Sequence, residues 1–383
     1  MRETDLETQL SPILPTGTRI VKAVHLSELW AGYGHIYRIH VEHPPSTSTS
    51  TDTRDNTYIV KTIRPPRQKA GYDEGHARKM LSYQVEANFY RYYADTVASE
   101  ECCVPRLFAA GDAGAEGEGQ TLVLEDLSIR FPVLTERRGT LNDAQVAKSL
   151  QWLAAFHAST WDIESSSASS TTDFCPPPSL AIQTSWSGRG LWQQGGYHYL
   201  ATRQHELASI DAHTDPWGQL GLHSASDLPH AIDWCLNNPT DRSGPSLIHG
   251  DVKAANMAFS RSSAQMAMYD FQYVGIGLGV QDLAKFLTTS IPSRFLNDAE
   301  GEQKLLRAYH SFLVQRLPKG ARYEYDDLIK DWELALVSWV RFLAGWSGGF
   351  WGNVDWLQDR VEALLRDPEW VEGVRQRWKT ATQ

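Results

Sequence analysis

Cysteine is scarce in this 383-residue chain: Cys102, Cys103, Cys175 and Cys235 show no CxxC spacing and are too few for a disulfide scaffold of this length, so reduced thiols are expected. Long apolar runs are absent as well. Nowhere do about 18 apolar residues follow one another, which excludes a membrane-spanning helix, and the opening MRETDLETQLSPILP lacks the apolar stretch of a secretory signal. A soluble, cytoplasmic protein is the expectation. An excess of basic charge is also missing, since 46 acidic side chains against 36 basic ones give a net charge of −10. That balance excludes a broad nucleic-acid footprint, which needs clustered Lys and Arg, but leaves room for a local basic pocket. The thirteen histidines contain no HExxH, so a zinc hydrolase has little support, and no internal repeat of fixed period is found. What is present is 42% apolar and 11% aromatic content, the texture of a folded globular protein with enough chain for two or three domains or one two-lobed enzyme.

Two polar tracts, Ser46 to Asn56 and Glu164 to Pro178, are rich in turn formers and read as loops. The first separates IYRIHVEH (Ile36 to His43) from TYIVKTI (Thr57 to Ile63), two alternating or β-branched runs that predict an antiparallel strand pair. Between Gly75 and Asp95, Met80, Tyr83, Ala87 and Tyr90 recur at helical spacing. QTLVLED (Gln120 to Asp126) reads as a buried strand. Beyond it the texture turns helical: Asn142 is placed to cap a helix carrying Val146, Leu150, Leu153 and His157 on one face. Further helices are expected over Pro229 to Asn238, Asn297 to Leu317 and Tyr325 to Gly345. The fold class inferred is α+β and two-lobed, with a β-rich N-lobe over residues 1–126 and a larger, mainly helical C-lobe over residues 127–383.

The chemistry concentrates in Leu247 to Phe271, LIHGDVKAANMAFSRSSAQMAMYDF, where a short apolar strand runs into His-Gly-Asp and a second apolar strand ends at Asp270. Asn256 lies five residues past Asp251, and Asp270 nineteen past it. An acid that accepts a hydroxyl proton, an amide oxygen and a second carboxylate in this order are what Mg²⁺-dependent phosphoryl transfer requires. Asn256 and Asp270 supply the hard oxygens Mg²⁺ prefers, beside nucleotide phosphates, while Asp251 orients the nucleophile.

Here the chain resembles the protein-kinase-like phosphotransferases, and within them the aminoglycoside phosphotransferase, choline kinase and ecdysteroid kinase-like branch. The resemblance rests on HGDVKAAN, on YDF where protein kinases have DFG, on LVLEDL (Leu122 to Leu127) and on LAAFHAS (Leu153 to Ser159), and it covers roughly Val21 to Leu287. It implies a two-lobed protein-kinase-like fold binding ATP and Mg²⁺ between the lobes. By resemblance Lys61 is the strand lysine that contacts the α- and β-phosphates, and Glu86 is its helix partner. Asp251 is similar to the catalytic base, Asn256 and Asp270 to the metal ligands. Glu125 and Leu127 fall where the family offers a backbone carbonyl and amide to adenine, and Lys253 where a side chain meets the transferring phosphoryl group. The glycine loop is GYGHIY, with Gly32 and Gly34 where protein kinases have three glycines. Phe-Gln after Asp270, in place of Phe-Gly, puts kinase-style switching in doubt. The 190 residues between Lys61 and Asp251 leave room for an acceptor-binding region, and no APE-like segment follows Asp270, so a small-molecule acceptor is expected rather than a peptide.

Several of these residues have plainer readings. Asp251, Asn256 and Asp270 are also good turn formers, but Lys61, Glu86 and the hinge-like strand in sequence order weigh against that. His249 is either a base or, as favoured, a structural group packing the loop. Asp282 in VQDLAKFL reads as a cap or loop brace rather than a ligand. Trp332, Trp339 and Trp346 recur every seven residues; the first two are expected in the core. The glycine-broken stretch GWSGGFWGNVDW places Trp346, Phe350 and Trp351 either in the wall of an acceptor pocket or in the packing. Trp186 and Trp192, in another Gly-rich insert, form a lid or cover the core. A Trp-lined pocket suits an apolar acceptor, or a cationic one held through cation–π contacts. A kinase-like protein without catalysis, binding nucleotide as a scaffold, is the alternative function.

Overall fold

The computed structural model describes residues 3–43, 56–66, 73–112, 119–136, 138–163, 173–239, 244–298 and 300–382. The polar tract at 46–55 and residues 164–172 of the second lie outside the described residues. The strands are β1 (Arg19–Glu28), β2 (Gly34–Glu42), β3 (Thr57–Ile63), β4 (Leu107–Asp112), β5 (Gln120–Glu125), β6 (Val133–Leu134), β7 (Ser246–Ile248), β8 (Met257–Phe259), β9 (Met266–Met268) and β10 (Gly275–Gly277). The helices of eight residues or more are α1 (Glu3–Leu10), α2 (Glu74–Asn88), α3 (Asp143–Ser159), α4 (Leu228–Asn237), α5 (Gly279–Thr289), α6 (Gly301–Val314), α7 (Tyr325–Gly345), α8 (Val354–Leu365) and α9 (Pro368–Thr382).

The first five strands form one antiparallel sheet in the order β1-β2-β3-β5-β4. β-branched residues dominate β3, and its central position places Lys61 opposite Ile36 of β2 and Leu122 of β5. The predicted strands at 57–63 and 120–126 are found, the latter ending one residue early because the Asp126 side chain turns to accept from Ser128 N–H and from Arg38. Helix α2 starts at an Asp73 cap whose carboxylate accepts from His76 N–H at 3.1 Å, and continues through a π-helical turn at Phe89–Tyr93.

The remainder is helical, apart from two small sheets (β6-β8-β9 and β10-β7) that carry the loop of interest. Helix α3 opens with a capping box in which Asn142 and Gln145 exchange side-chain and backbone hydrogen bonds, each 2.9 Å long. Helix α7 matches the expected span, and α6 starts at Gly301, four residues late, because Ser293–Phe295 forms a 3₁₀ turn and Asp298 accepts from Glu300 N–H. Trp332 and Trp339 are fully buried in α7, as the seven-residue period suggested. The main core runs from Phe89 and Phe271 through Trp152 and Phe156 to α7. It therefore joins the sheet-side helix α2 to the helical part and fixes the loop Ile248–Asp270 against both. This is the α+β, two-lobed, protein-kinase-like architecture.

Candidate active site

Lys61 lies at the centre of the arrangement. From β3 its Nζ reaches Glu86 Oε2 of α2 at 2.6 Å and Asp270 Oδ1 at 3.2 Å, although Asp270 is 209 residues away in the chain. Only 6% of Lys61 is exposed. Burial opposes its charge, yet Glu86 and then Asp270 outweigh burial and hold the ammonium above the usual lysine range. Burial also pushes the Glu86 carboxyl up to about 7, against the pull of Lys61. Asp270 has φ +70°, the left-handed region, which a non-glycine residue occupies only where its surroundings over-determine it. Those surroundings are visible: Phe271 stacks on Phe89 at 3.9 Å, and Trp192 Nε1 donates to the Gln272 carbonyl at 2.8 Å.

The turn between β1 and β2 holds the two glycines. Gly34 has φ +149°, and a Cβ there would stand 1.9 Å from Thr62 O of β3; Gly32 has φ +75° with open space around it. Gly34 is thus dictated by strand packing, whereas Gly32 needs only its backbone conformation.

Asp251 lies on the loop after β7. Its Oδ2 accepts from Lys253 Nζ at 2.6 Å, and its Oδ1 accepts from Lys285 Nζ of α5. Burial would raise its pKa, but the two ammonium groups overcome that and hold the carboxyl well below the usual range. For Lys285 burial prevails over Asp251 and lowers its pKa; for Lys253 the attraction of Asp251 exceeds burial and raises it. Asn256 Nδ2 donates to the Asp251 carbonyl at 3.0 Å, so Oδ1 is the atom of Asn256 with ligand chemistry. His249 accepts from Asp251 N–H at Nδ1 (3.2 Å) and meets the Tyr269 carbonyl at Nε2 (3.1 Å), which requires the Nε2–H tautomer. Burial lowers its pKa, in keeping with a neutral structural ring. Asp282 accepts from the amides of His249 (2.7 Å) and Gly250 (2.8 Å) and faces His157 Nε2 at 3.2 Å; His157 in turn meets Tyr309. It is the loop brace expected of it.

The remaining candidates lie further out. Glu125 ends β5 and its carboxylate is bound by Arg130 (3.2 Å) and Arg106 (3.6 Å), while Leu127 opens the 3₁₀ turn that follows. Trp346 stacks on Phe342, Trp351 stands edge-on to Trp339, and Phe350 stacks on Trp217; all three are half-buried. Trp192 is fully buried and covers the core. Sequence reasoning missed Lys285, the second partner of Asp251. The signal was a lone Lys in a helix whose apolar neighbours Leu283, Ala284, Phe286 and Leu287 are all fully buried. Among the described residues no group of three or more His, Cys, Asp or Glu forms a metal cluster.

Comparison with known proteins gives one family: the model of the ecdysteroid kinase-like family matches residues 32–320. No curated protein matches the sequence. Solved structures that are similar include choline kinase LicA from Streptococcus pneumoniae, at 13% identity and TM-score 0.46, covering 94% of this chain and 97% of that one. Another is APH(2")-IIia in complex with GDP and kanamycin, at 12% identity and TM-score 0.47, covering 99% of each chain. A third is a thermostable mutant of aminoglycoside phosphotransferase APH(4)-Ia with ADP and hygromycin B, at 12% identity and TM-score 0.44, covering 95% and 97%.

Proposed function

The chain belongs to the ecdysteroid kinase-like family, and from that premise we propose that it transfers the γ-phosphoryl group of ATP to a hydroxyl group of a small molecule. The observation that carries the reading is the meeting of Lys61, Glu86 and Asp270 at one point, within hydrogen-bond distance, from three separate segments. In this reading Lys61 holds phosphate oxygens and Glu86 keeps its ammonium in place. Gly32 and Gly34 let the β1–β2 turn lie against the nucleotide, and the backbone of Glu125 and Leu127 meets adenine. Asp251, ionised under the influence of its two lysines, orients the acceptor hydroxyl and takes its proton as the new O–P bond forms and the bond to the departing ADP oxygen breaks. Lys253 follows the transferred group from Asp251 to the phosphoryl oxygens. One carboxylate and one amide oxygen, Asp270 and Asn256 Oδ1, are a donor set that suits Mg²⁺, which keeps several waters and needs few protein ligands. When bound there, the ion neutralises charge on the phosphates. Trp346, Phe350 and Trp351 form the outer wall on the acceptor side.

Calorimetric titration of Mg·ATP into the wild type and into Asp270→Ala tests the nucleotide site. Metal-dependent binding lost in the variant supports it, and no binding by the wild type overturns it. A second reading, nucleotide binding without catalysis, is favoured by the occupation of both Asp251 oxygens by ammonium groups. It requires that Mg·ATP bind while no ADP is released with any hydroxylated acceptor.

A further inference from the structure

The five-stranded sheet has one covered face and one that faces the site. Tyr37, Ile39, Tyr58 and Val60 are buried on the face packed against Leu6 and Leu10 of α1. Because side chains alternate along a strand, Ile36, Arg38, Ile59 and Lys61 share the other face. Strand register sets them in two adjoining rows: Ile36, Lys61 and Leu122 in one, Arg38, Ile59 and Leu124 in the next. The first row carries the lysine paired with Glu86 and Asp270. The second lies nearer the end of β5, where Glu125, Asp126 and Leu127 follow one another. Ile36, Arg38 and Ile59 are only half-buried, so this part of the Lys61 face presents apolar surface to a flat base.

Arg38 crosses this face from β2, past β3, to the chain that follows β5. Its Nε donates to Asp126 Oδ2 at 2.6 Å, and its Nη2 donates to Ser128 Oγ at 3.0 Å and to Asp126 Oδ1 at 3.3 Å. The Asp126 side chain is 2% exposed and that of Arg38 32%; among the described residues Arg38 is the ion-pair partner of Asp126. Asp126 Oδ1 also accepts from Ser128 N–H at 3.0 Å and from Ser128 Oγ at 2.7 Å. Asp126 thus has both carboxylate oxygens tied down, with its backbone extended at φ −77° and ψ 95°. The residue before it is tied down as well, since Arg130 and Arg106 hold the Glu125 carboxylate. These ties bear on two backbone groups. The Glu125 carbonyl belongs to the peptide plane on one side of the Asp126 Cα, and the Leu127 amide to the plane on the other. Peptide planes are rigid, so φ and ψ of Asp126 alone set the angle between those two groups.

We propose that Arg38 is a positioning residue for base recognition: it holds Asp126, and through Asp126 sets the angle at which the Glu125 carbonyl and the Leu127 amide together meet the edge of adenine. The inference rests on the kinase reading above and adds to it the residue that lets the site read the base as well as the phosphates. The test is calorimetric titration of Mg·ATP and Mg·ITP, the inosine analogue, into the wild type, Arg38→Met, Asp126→Asn and the double variant. The two nucleotides share ring size, ribose and triphosphate, but where adenine presents a donor and an acceptor to the carbonyl and amide, hypoxanthine presents the reverse. With two directed hydrogen bonds at stake, the wild type is expected to bind ATP at least about tenfold more tightly than ITP. In Arg38→Met that ratio should fall below about threefold, through weaker ATP binding with ITP changed less than about twofold; Asp126→Asn should lower the ratio as well, and the double variant no further than the lower of the two single ones. Damage to the fold at large would weaken both nucleotides alike and keep the ratio. A wild type that does not prefer ATP, an unchanged ratio in Arg38→Met, or losses that multiply in the double variant overturns the proposal. Should Arg38→Met not fold, Asp126→Asn, of the same shape as the native residue, decides alone. The two failures are distinct: no nucleotide binding by the wild type sinks the kinase reading, whereas nucleotide binding without the Arg38 effect sinks only this assignment.

Discussion

Replacing Lys285 by Met leaves Asp251 with Lys253 as its one ammonium partner. Lys285 and Asp251 are 4% and 7% exposed, so the pair is shielded from water, and breaking such a pair from one side ordinarily costs about 3–5 kcal/mol. Two features lower that figure here: Lys253 still neutralises Oδ2 at 2.6 Å, and removing Lys285 also removes an ammonium whose charge burial disfavours. About 2 kcal/mol is the expected loss, or roughly 4–8 °C in Tm at about 2–4 °C per kcal/mol for a large domain. Asp251→Asn in turn strands two ammonium groups beside a neutral amide and is expected to cost a similar amount. The double variant removes the buried charge of Lys285 together with its partner, so the two losses should not add. A coupling of about 1–3 kcal/mol is expected from the double-mutant cycle. Urea denaturation of the four proteins at pH 7, read by tryptophan fluorescence, measures it without any need for an acceptor. Additivity within about 0.5 kcal/mol would refute the claim that Lys285 acts through Asp251.

Asp251→Asn should reduce turnover by about 10²–10⁴-fold, the usual contribution of a positioned base, while Mg·ATP binds as in the wild type; retained turnover, measured as ADP release, removes Asp251 from that role. Gly34→Ala should cost more than 2 kcal/mol, because its methyl group would stand 1.9 Å from Thr62 O, whereas Gly32→Ala, with open space, should cost only the roughly 1–2 kcal/mol of a left-handed non-glycine residue. Equal Tm losses for the two would contradict the packing argument. Glu86 binds its proton up to about pH 7 in the folded protein against an ordinary 4.5, so between those values the folded state holds more protons than the unfolded one. This group's contribution to stability therefore falls as pH rises from about 4.5 to about 7, and Glu86→Gln should flatten that part of the Tm–pH curve; an unchanged slope refutes it.

Much of the site was legible because its parts are local in the chain. His249, Asp251 and Asn256 lie within eight residues on one loop, and β3 carries Lys61 on a run of β-branched residues that reads as a strand unaided. The helix that carries Glu86 was legible from its regular apolar period, whereas the pairing of Glu86 with Lys61 followed only from the family resemblance. The charged and aromatic cluster around Asp251 was not legible in the same way. Tyr197 and Arg203 come from an irregular segment, Lys285 from α5 and Arg341 from α7, and only tertiary packing brings them together. Periodicity identified the buried face of α7 and hence Trp339, but it assigns Arg341 no role, since an arginine two residues along reads as a solvent-facing group. Its burial follows from the loop 197–203, whose carbonyls take up its guanidinium and that of Arg203. The burial of Arg203, Lys285 and Arg341 is thus a property of the fold, not of any local stretch.

The glutamine after Phe271 bears on how such a site is controlled. In a switching loop the aromatic residue must leave its pocket, and here leaving is costly. Phe271 is fully buried, stacked on Phe89, edge-on to Tyr90 at 5.9 Å and against His249 at 4.7 Å. Exposing it forfeits about 1.5–3 kcal/mol of burial, and moving the loop also breaks the Trp192–Gln272 bond and the contact of Ser82 Oγ with Gln272 Oε1 at 3.4 Å, each worth about 1 kcal/mol. A total near 4 kcal/mol leaves the flipped form at roughly one part in a thousand. The backbone strain of Asp270 works in the other direction but does not exceed these contacts, because the residue stays at φ +70° with its carboxylate on Lys61. Gln272 also bonds Glu86, so it ties the loop after Asp270 to α2 and the lysine pair at once. The loop after Asp270 is accordingly held in place by its packing, with its backbone fixed by Trp192 and its aromatic ring by Phe89.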